Sequence, residues 1–188
     1  MRLAIAAVAA LVCVVLLSSC ALLPPSDPSL QQSDREMQQI AAAVKHHDPA
    51  ALKKLFSPVA REKATGLDSG VKYFLSVFPD GFTSWSDPEG GPGETDDYSS
   101  GKQTVLLFGE YKVRANGKTY NLYFADYNVN QVDDPHNVGL YALGVAPYNA
   151  HPGTKPTPSS KAFFAWASQF EIDDHKATGT PGVYVPQN

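Results

Sequence analysis

The sequence predicts an α+β fold in which helices pack on a curved antiparallel sheet. Three observations carry this. Between Ser33 and Phe78 apolar residues recur at helical spacing, whereas from Phe82 to Val145 the period shortens to two. Asn116-Gly117 separates two long alternating runs, as a tight hairpin requires. Proline and glycine concentrate between these segments and after them.

Three helices are expected. Ser33 and Glu36 have the spacing of a capping box, with Met37, Ile40, Ala41 and Val44 following on one face. Asp48-Pro49 restarts the chain as a helix, because aspartate caps free N–H groups and proline suits the first turn. Ala51, Leu52, Leu55 and Phe56 give that helix its core face, and Ser57-Pro58 opens a further short turn. Asp68 caps the third helix, which presents Val71, Phe74, Leu75 and Phe78 and stops at Pro79-Asp80-Gly81.

About four strands follow. Phe82 to Ser86 is short, Asp87 to Lys102 reads as a polar loop without periodicity, and Gln103–Arg114 and Lys118–Asn128 are long. Pairing Ala115 with Lys118 across Asn116-Gly117 sets Val113 opposite Tyr120, Tyr111 opposite Leu122, Gly109 opposite Phe124 and Leu107 opposite Asp126. That face is apolar until Asp126. Gly109 inside so long a strand predicts a bend or bulge. Asn130 to Asn137 is a polar loop, and Gly139 to Val145 is the last clear strand. Beyond it, the one helical pattern lies between Lys161 and Phe170, with Phe163, Trp166 and Phe170 in a stripe. That stripe has two readings, core that plugs the mouth of the sheet or a surface for a partner.

The N-terminus carries a different message. Arg2 precedes an apolar stretch from Leu3 to Leu17, long enough for a signal sequence but short of the about 20 residues of a membrane span. The run Leu17-Ser18-Ser19-Cys20 resembles a bacterial lipobox. This resemblance implies a lipid thioether on Cys20 and a protein held at the extracytoplasmic face of a cell membrane, with at least two acyl chains giving a stable anchor. Cys13 would leave with the leader and Cys20 would carry lipid, so no thiol remains for a disulfide, a zinc site or a nucleophile. The Pro24-Pro25-Ser26-Asp27-Pro28 region reads as an extended tether of at most about 40 Å. Loss of Arg2 takes the net charge from −4 to −5, so no basic field gathers nucleic acid. The expected organisation is a signal peptide over 1–19, a tether over 20–32, a folded domain over 33–147 and an extension with a short helix over 148–188.

Asp48-Pro49-Ala50-Ala51-Leu52-Lys53-Lys54-Leu55-Phe56-Ser57 resembles the second-helix motif of NTF2-like domains, and the order of helices before long strands is similar. Gly101-Lys102, Tyr120, Asp133-Asp134-Pro135 and Val138-Gly139-Leu140-Tyr141 resemble an uncharacterised family of lipoprotein domains from Gram-positive bacteria. The likeness covers roughly Asp34 to Ala146. It implies a cone, a curved sheet wrapped around helices and enclosing a pocket. It implies no settled activity.

Asp126 is the sharpest candidate for chemistry. A carboxylate on an apolar face has its charged form disfavoured, and NTF2-like enzymes place acid/base groups inside such cones. Tyr111 and Tyr141 are candidates for nearby hydroxyls, and Phe124 and Trp166 join Asp126 as candidate ligand contacts. Equally, Asp126 could end its strand in solvent. His46-His47-Asp48 has metal-type side chains, but adjacent histidines do not share a helix face and Asp48 serves as a cap, so no metal is expected. Asp96-Asp97, Asp133-Asp134 and Asp173-Asp174 fall in expected loops without an EF-hand pattern. No P-loop, dinucleotide glycine fingerprint, G-x-S-x-G elbow or H-E-x-x-H occurs, and no cofactor is expected.

The resulting expectation is a membrane-anchored lipoprotein whose domain binds a small apolar ligand or an envelope protein. The alternatives are an enzyme using Asp126 as general acid or base on a small hydrophobic substrate, and a structural accessory of an envelope complex. An open pocket above about 300 Å³ with polar groups converging on Asp126 favours the enzyme, whereas a filled cone favours the others.

Overall fold

Helices precede strands, in the order the change of period predicts. The computed structural model describes residues 28–86, 92–148, 172–173, 176–177 and 181–184. Cys20 with its leader and the stripe of Phe163, Trp166 and Phe170 lie outside them. Four helices are present among the described residues: α1 (Pro28–Lys45), α2 (Pro49–Leu55), α3 (Pro58–Lys63) and α4 (Leu67–Val77). None is long and apolar enough to cross a membrane.

The first helix departs from expectation at its start. It begins at Pro28, so residues 28–32 of the expected tether are helical and Ser33 is no cap. Proline fits the opening turn because it has no N–H to leave orphaned. Ser33 is buried instead, and its hydroxyl meets the Tyr111 hydroxyl at 2.5 Å. Asp48 does cap α2, accepting from the Ala50 and Ala51 amides at 3.0 and 2.9 Å. The short turn expected at Ser57-Pro58 is a full helix, α3, with Ser57 accepting from the Ala60 amide at 3.1 Å. Asp68 is not the cap of α4. Gly66, with φ of +71°, turns the chain into the helix at Leu67, so Asp68 already lies in the first turn, where its charge suits the helix dipole. There it pairs with Lys53 at 2.6 Å, an exposed bridge of small value.

The main sheet contains β1 (Ser84–Trp85), β2 (Gly93–Ser99), β3 (Lys102–Ala115), β4 (Lys118–Asn130), β5 (Gly139–Pro147) and, later in the chain, β8 (Gly182–Tyr184). A separate ribbon pairs β6 (Ile172–Asp173) with β7 (Lys176–Ala177). Strand order is β1-β3-β4-β5-β8, with β2 also paired to β3. The four predicted register pairs of the β3–β4 hairpin all form, and Asn116 and Gly117 take φ of +52° and +70°. The curvature comes from elsewhere than Gly109. The β3–β4 register shifts between Val105 and Leu106, where Asn128 of β4 is the extra residue, and the β4–β5 register shifts between Ala125 and Asp126, where Tyr141 of β5 is the extra residue. A Cβ on Gly109 would sit 3.0 Å from the Tyr111 ring and 3.3 Å from that of Phe124, so this glycine makes room for the stacked pair.

Two strands of the main sheet, like the β6–β7 ribbon, were not expected. β2 occupies the segment read as a loop; its sequence Gly-Glu-Thr-Asp-Asp-Tyr-Ser has no apolar face because it is an edge strand that packs on little, and acidic residues there deter further pairing. β8 arises from the C-terminal extension and pairs in parallel with β5. Val183 packs against the core and beside α4, where Gly70 leaves the space: a Cβ on Gly70 would lie 3.0 Å from the Val183 Cβ.

The core lies between the helices and one sheet face. Met37, Ile40, Val44, Leu52, Phe56, Phe74 and Phe78 pack against Tyr111, Val113, Leu122, Phe124, Leu143 and Val145. The hollow of the sheet is therefore filled with side chains. Open space remains at its rim.

Candidate functional site

A cleft of about 620 Å³ opens where α1 and α2 meet the C-terminal end of β4 and the start of β5. Glu36 reaches it from α1 and His46 from the turn after it, Asp48, Ala51 and Leu55 from α2 and its cap, Asp126, Asn128 and Gly139 from the sheet, and Val138 from the loop before β5.

The local sequence explains each wall. Glu36 lies one turn from Ser33 and from Ile40, so it shares their buried helix face. Asp126 alternates with Leu122 and Phe124, and the extra residue Asn128 marks a bulge in β4 just beyond it. Opposite, Gly139 has φ of +114°, and a Cβ there would fall 2.7 Å from the Leu55 carbonyl oxygen. Only glycine lets β5 run this close to the end of α2. The Ser57 amide then donates to the Leu140 carbonyl at 3.0 Å, and the Ser57 hydroxyl donates to Asn137 Oδ1 at 2.6 Å. These bonds lock the corner that forms the cleft floor.

Two carboxyl groups dominate the electrostatics. Glu36 is 7% exposed and Asp126 is 4% exposed. Glu36 Oε1 is buried without a hydrogen-bond partner. Burial pushes Glu36 up to about 8, and the neighbouring Asp126 charge pushes in the same direction. Burial pushes Asp126 up to about 7. The two titrate as a pair, and at neutral pH the pair retains a proton. One member can then donate a hydrogen bond while the other accepts one, the division of labour that makes paired carboxyls useful for binding donors and for acid/base work.

Of the residues singled out in the sequence, Asp126 takes its place in the cleft wall. Tyr111 does not: it is fully buried, tied to Ser33 and stacked on Phe124 at 5.8 Å, so both rings belong to the core. Tyr141 packs edge-on against Tyr127 at 5.7 Å in a separate apolar cluster with Leu106 and Ala125, away from Asp126. Trp166 lies outside the described residues. His46 lines the cleft, whereas His47 Nε2–H donates to the Pro79 carbonyl at 2.5 Å and ties the α1–α2 turn to the end of α4. Asp96, expected in a loop, lies in β2 and accepts from the Gln103 side chain at 3.1 Å; Asp97 lies in the same strand. Asp134 accepts from the His136 amide at 2.9 Å. Among the described residues no three His, Cys, Asp or Glu side chains gather where a metal ion would sit.

Glu36 is the residue that sequence reading placed in the wrong role. Its capping-box spacing pointed to a helix end, and the helix end lies elsewhere. The signal that identifies it is an acid within the apolar stripe formed by Met37, Ile40 and Val44.

No curated protein matches the chain. The family profile of a domain of unknown function, DUF5104, matches residues 39–149, from the middle of α1 through β5. Asp126 falls within that span, and Glu36 precedes it. Because the match spans more than half of the chain, from the middle of α1 through α2, α3, α4 and the β3–β4 hairpin to β5, the chain belongs to the DUF5104 family.

Proposed function

We propose that this protein is a membrane-anchored extracytoplasmic lipoprotein with an NTF2-like, cone-shaped domain that binds a small, largely apolar ligand at the rim of the sheet. The observation that carries the binding reading is the cleft of about 620 Å³ into which Glu36 and Asp126 converge. Its size falls in the range of small-molecule sites, about 300–1,000 Å³. Ala51, Leu55 and Val138 supply apolar surface, and the two carboxyls supply orientation. The filled hollow behind it supports a rim site over an enclosed one. The anchoring rests on Leu17-Ser18-Ser19-Cys20 and its resemblance to a lipobox.

A second reading, an enzyme, has its own support: the filled hollow of the sheet favours binding, whereas the same open cleft with polar groups around Asp126 is what an enzyme needs. A carboxyl pair that keeps a proton at neutral pH is suited to general acid/base catalysis, with Asp126 accepting a proton from a substrate and Glu36 returning one.

Native mass spectrometry of the purified full chain tests the binding reading. A small molecule carried through purification should be retained by the natural protein and lost from Ala42→Trp, which fills the cleft from the exposed side of α1. Retention in that variant would place the ligand elsewhere.

A further inference from the structure

The cleft has a chemical preference beyond its size. Glu36 Oε1 is enclosed by protein and meets no donor, although most buried polar oxygens are bonded. Asp126 lies close enough to act on Glu36 through its charge. No lysine or arginine among the described residues forms an ion pair with either group. A strand and a helix therefore bring two carboxyls together, and although Lys54 lines the same cleft, it forms no ion pair with either of them.

Resting on the binding reading above, we infer that the ligand carries a cationic nitrogen head, a primary ammonium or an amidinium-type group, seated between Glu36 and Asp126 with its apolar part along Ala51, Leu55 and Val138. An ammonium has three donors and no acceptor, so it matches the carboxylate oxygens of the ionised member of the pair and the carbonyl oxygen of the protonated one. Charge-assisted bonds to carboxylate are about twice as strong as neutral ones. A neutral hydroxyl would fill one oxygen and leave the negative charge of the pair buried without an opposite charge. An anionic ligand would add a like charge. A hard divalent cation demands six or more oxygens, and no group of three metal-type side chains is present among the described residues.

Three probes of equal length separate these cases: n-butylammonium, n-butanol and butyrate, titrated into the full chain and followed through the amide NMR signals of α1 and β4. Butylammonium should bind at least tenfold more tightly than butanol, and butyrate should not bind. Glu36→Gln, which keeps the shape of the side chain and removes its charge, should abolish the preference, bringing butylammonium binding to within about twofold of butanol in the same variant. Equal binding of butanol and butylammonium, or an undiminished preference in Glu36→Gln, overturns the cationic head and leaves the cleft as a ligand site. Binding by none of the three at millimolar concentration overturns both.

Discussion

Burial holds Glu36 and Asp126 above the ordinary carboxyl range, so the folded chain keeps their protons at a pH where the unfolded chain has released them. The sign follows directly. Below the unfolded values near 4 both states are protonated and the pair costs nothing. As pH rises above about 4 the unfolded chain releases these protons while the folded chain keeps them, so stability falls, and the loss is complete once pH has passed about 7 and about 8, where the folded cleft ionises too. Glu36→Gln and Asp126→Asn should therefore raise the melting temperature at pH 8.5, by the equivalent of roughly 1–3 kcal/mol, and change it little at pH 4.5. Thermal melts at both values check this. A collapse of the Asp126→Asn melt at both would make the residue structural and remove the support for the enzyme reading. Asp126 was legible in the sequence because hairpin register projects it onto an apolar face. Glu36 was not, because Ser33-x-x-Glu36 spells a capping box and only the true start of α1 at Pro28 shows that both side chains point inward.

At the scale of elements, strong local chemistry was readable and weak local chemistry was not. Asn116-Gly117 fixed the β3–β4 register because two positive φ angles in a row admit few other residues. Asp48-Pro49 marked α2 for a similar reason. β2 and β8 left no such mark. β2 is polar on both faces because it is an edge, and β8 has only three residues, held by β5 and α4 rather than by its own propensity. The α4–β8 contact is testable at Gly70, which faces Val183 with no space for a side chain. Gly70→Leu should overpack this contact and destabilise the fold by roughly 1–3 kcal/mol, against the small gain that leucine brings to an exposed helix. Urea denaturation reads the difference. A variant as stable as the natural protein would mean that β8 is not seated against α4.

For the whole molecule, the division into helices and then a bent sheet was visible in the change of period, because each period reports which face is buried. The position of the open space was not, since it depends on how side chains from α1, α2 and β4 meet in three dimensions. The proposed membrane attachment rests on the lipobox-like run around Cys20, outside the described residues. Cys20→Ala should abolish incorporation of radiolabelled fatty acid and release the protein from the membrane fraction of an expressing bacterium. Undiminished labelling would refute Cys20 as the lipid site.

The parallel seat of β8 beside β5 has a consequence for how the molecule is made. All the other strands of the sheet pair with an antiparallel neighbour as the chain emerges, but the flank of β5 waits for Gly182–Tyr184. Until those residues arrive, a row of unsatisfied peptide groups stays available to any passing strand, so a protein synthesised without its tail would be expected to finish its sheet with a stranger.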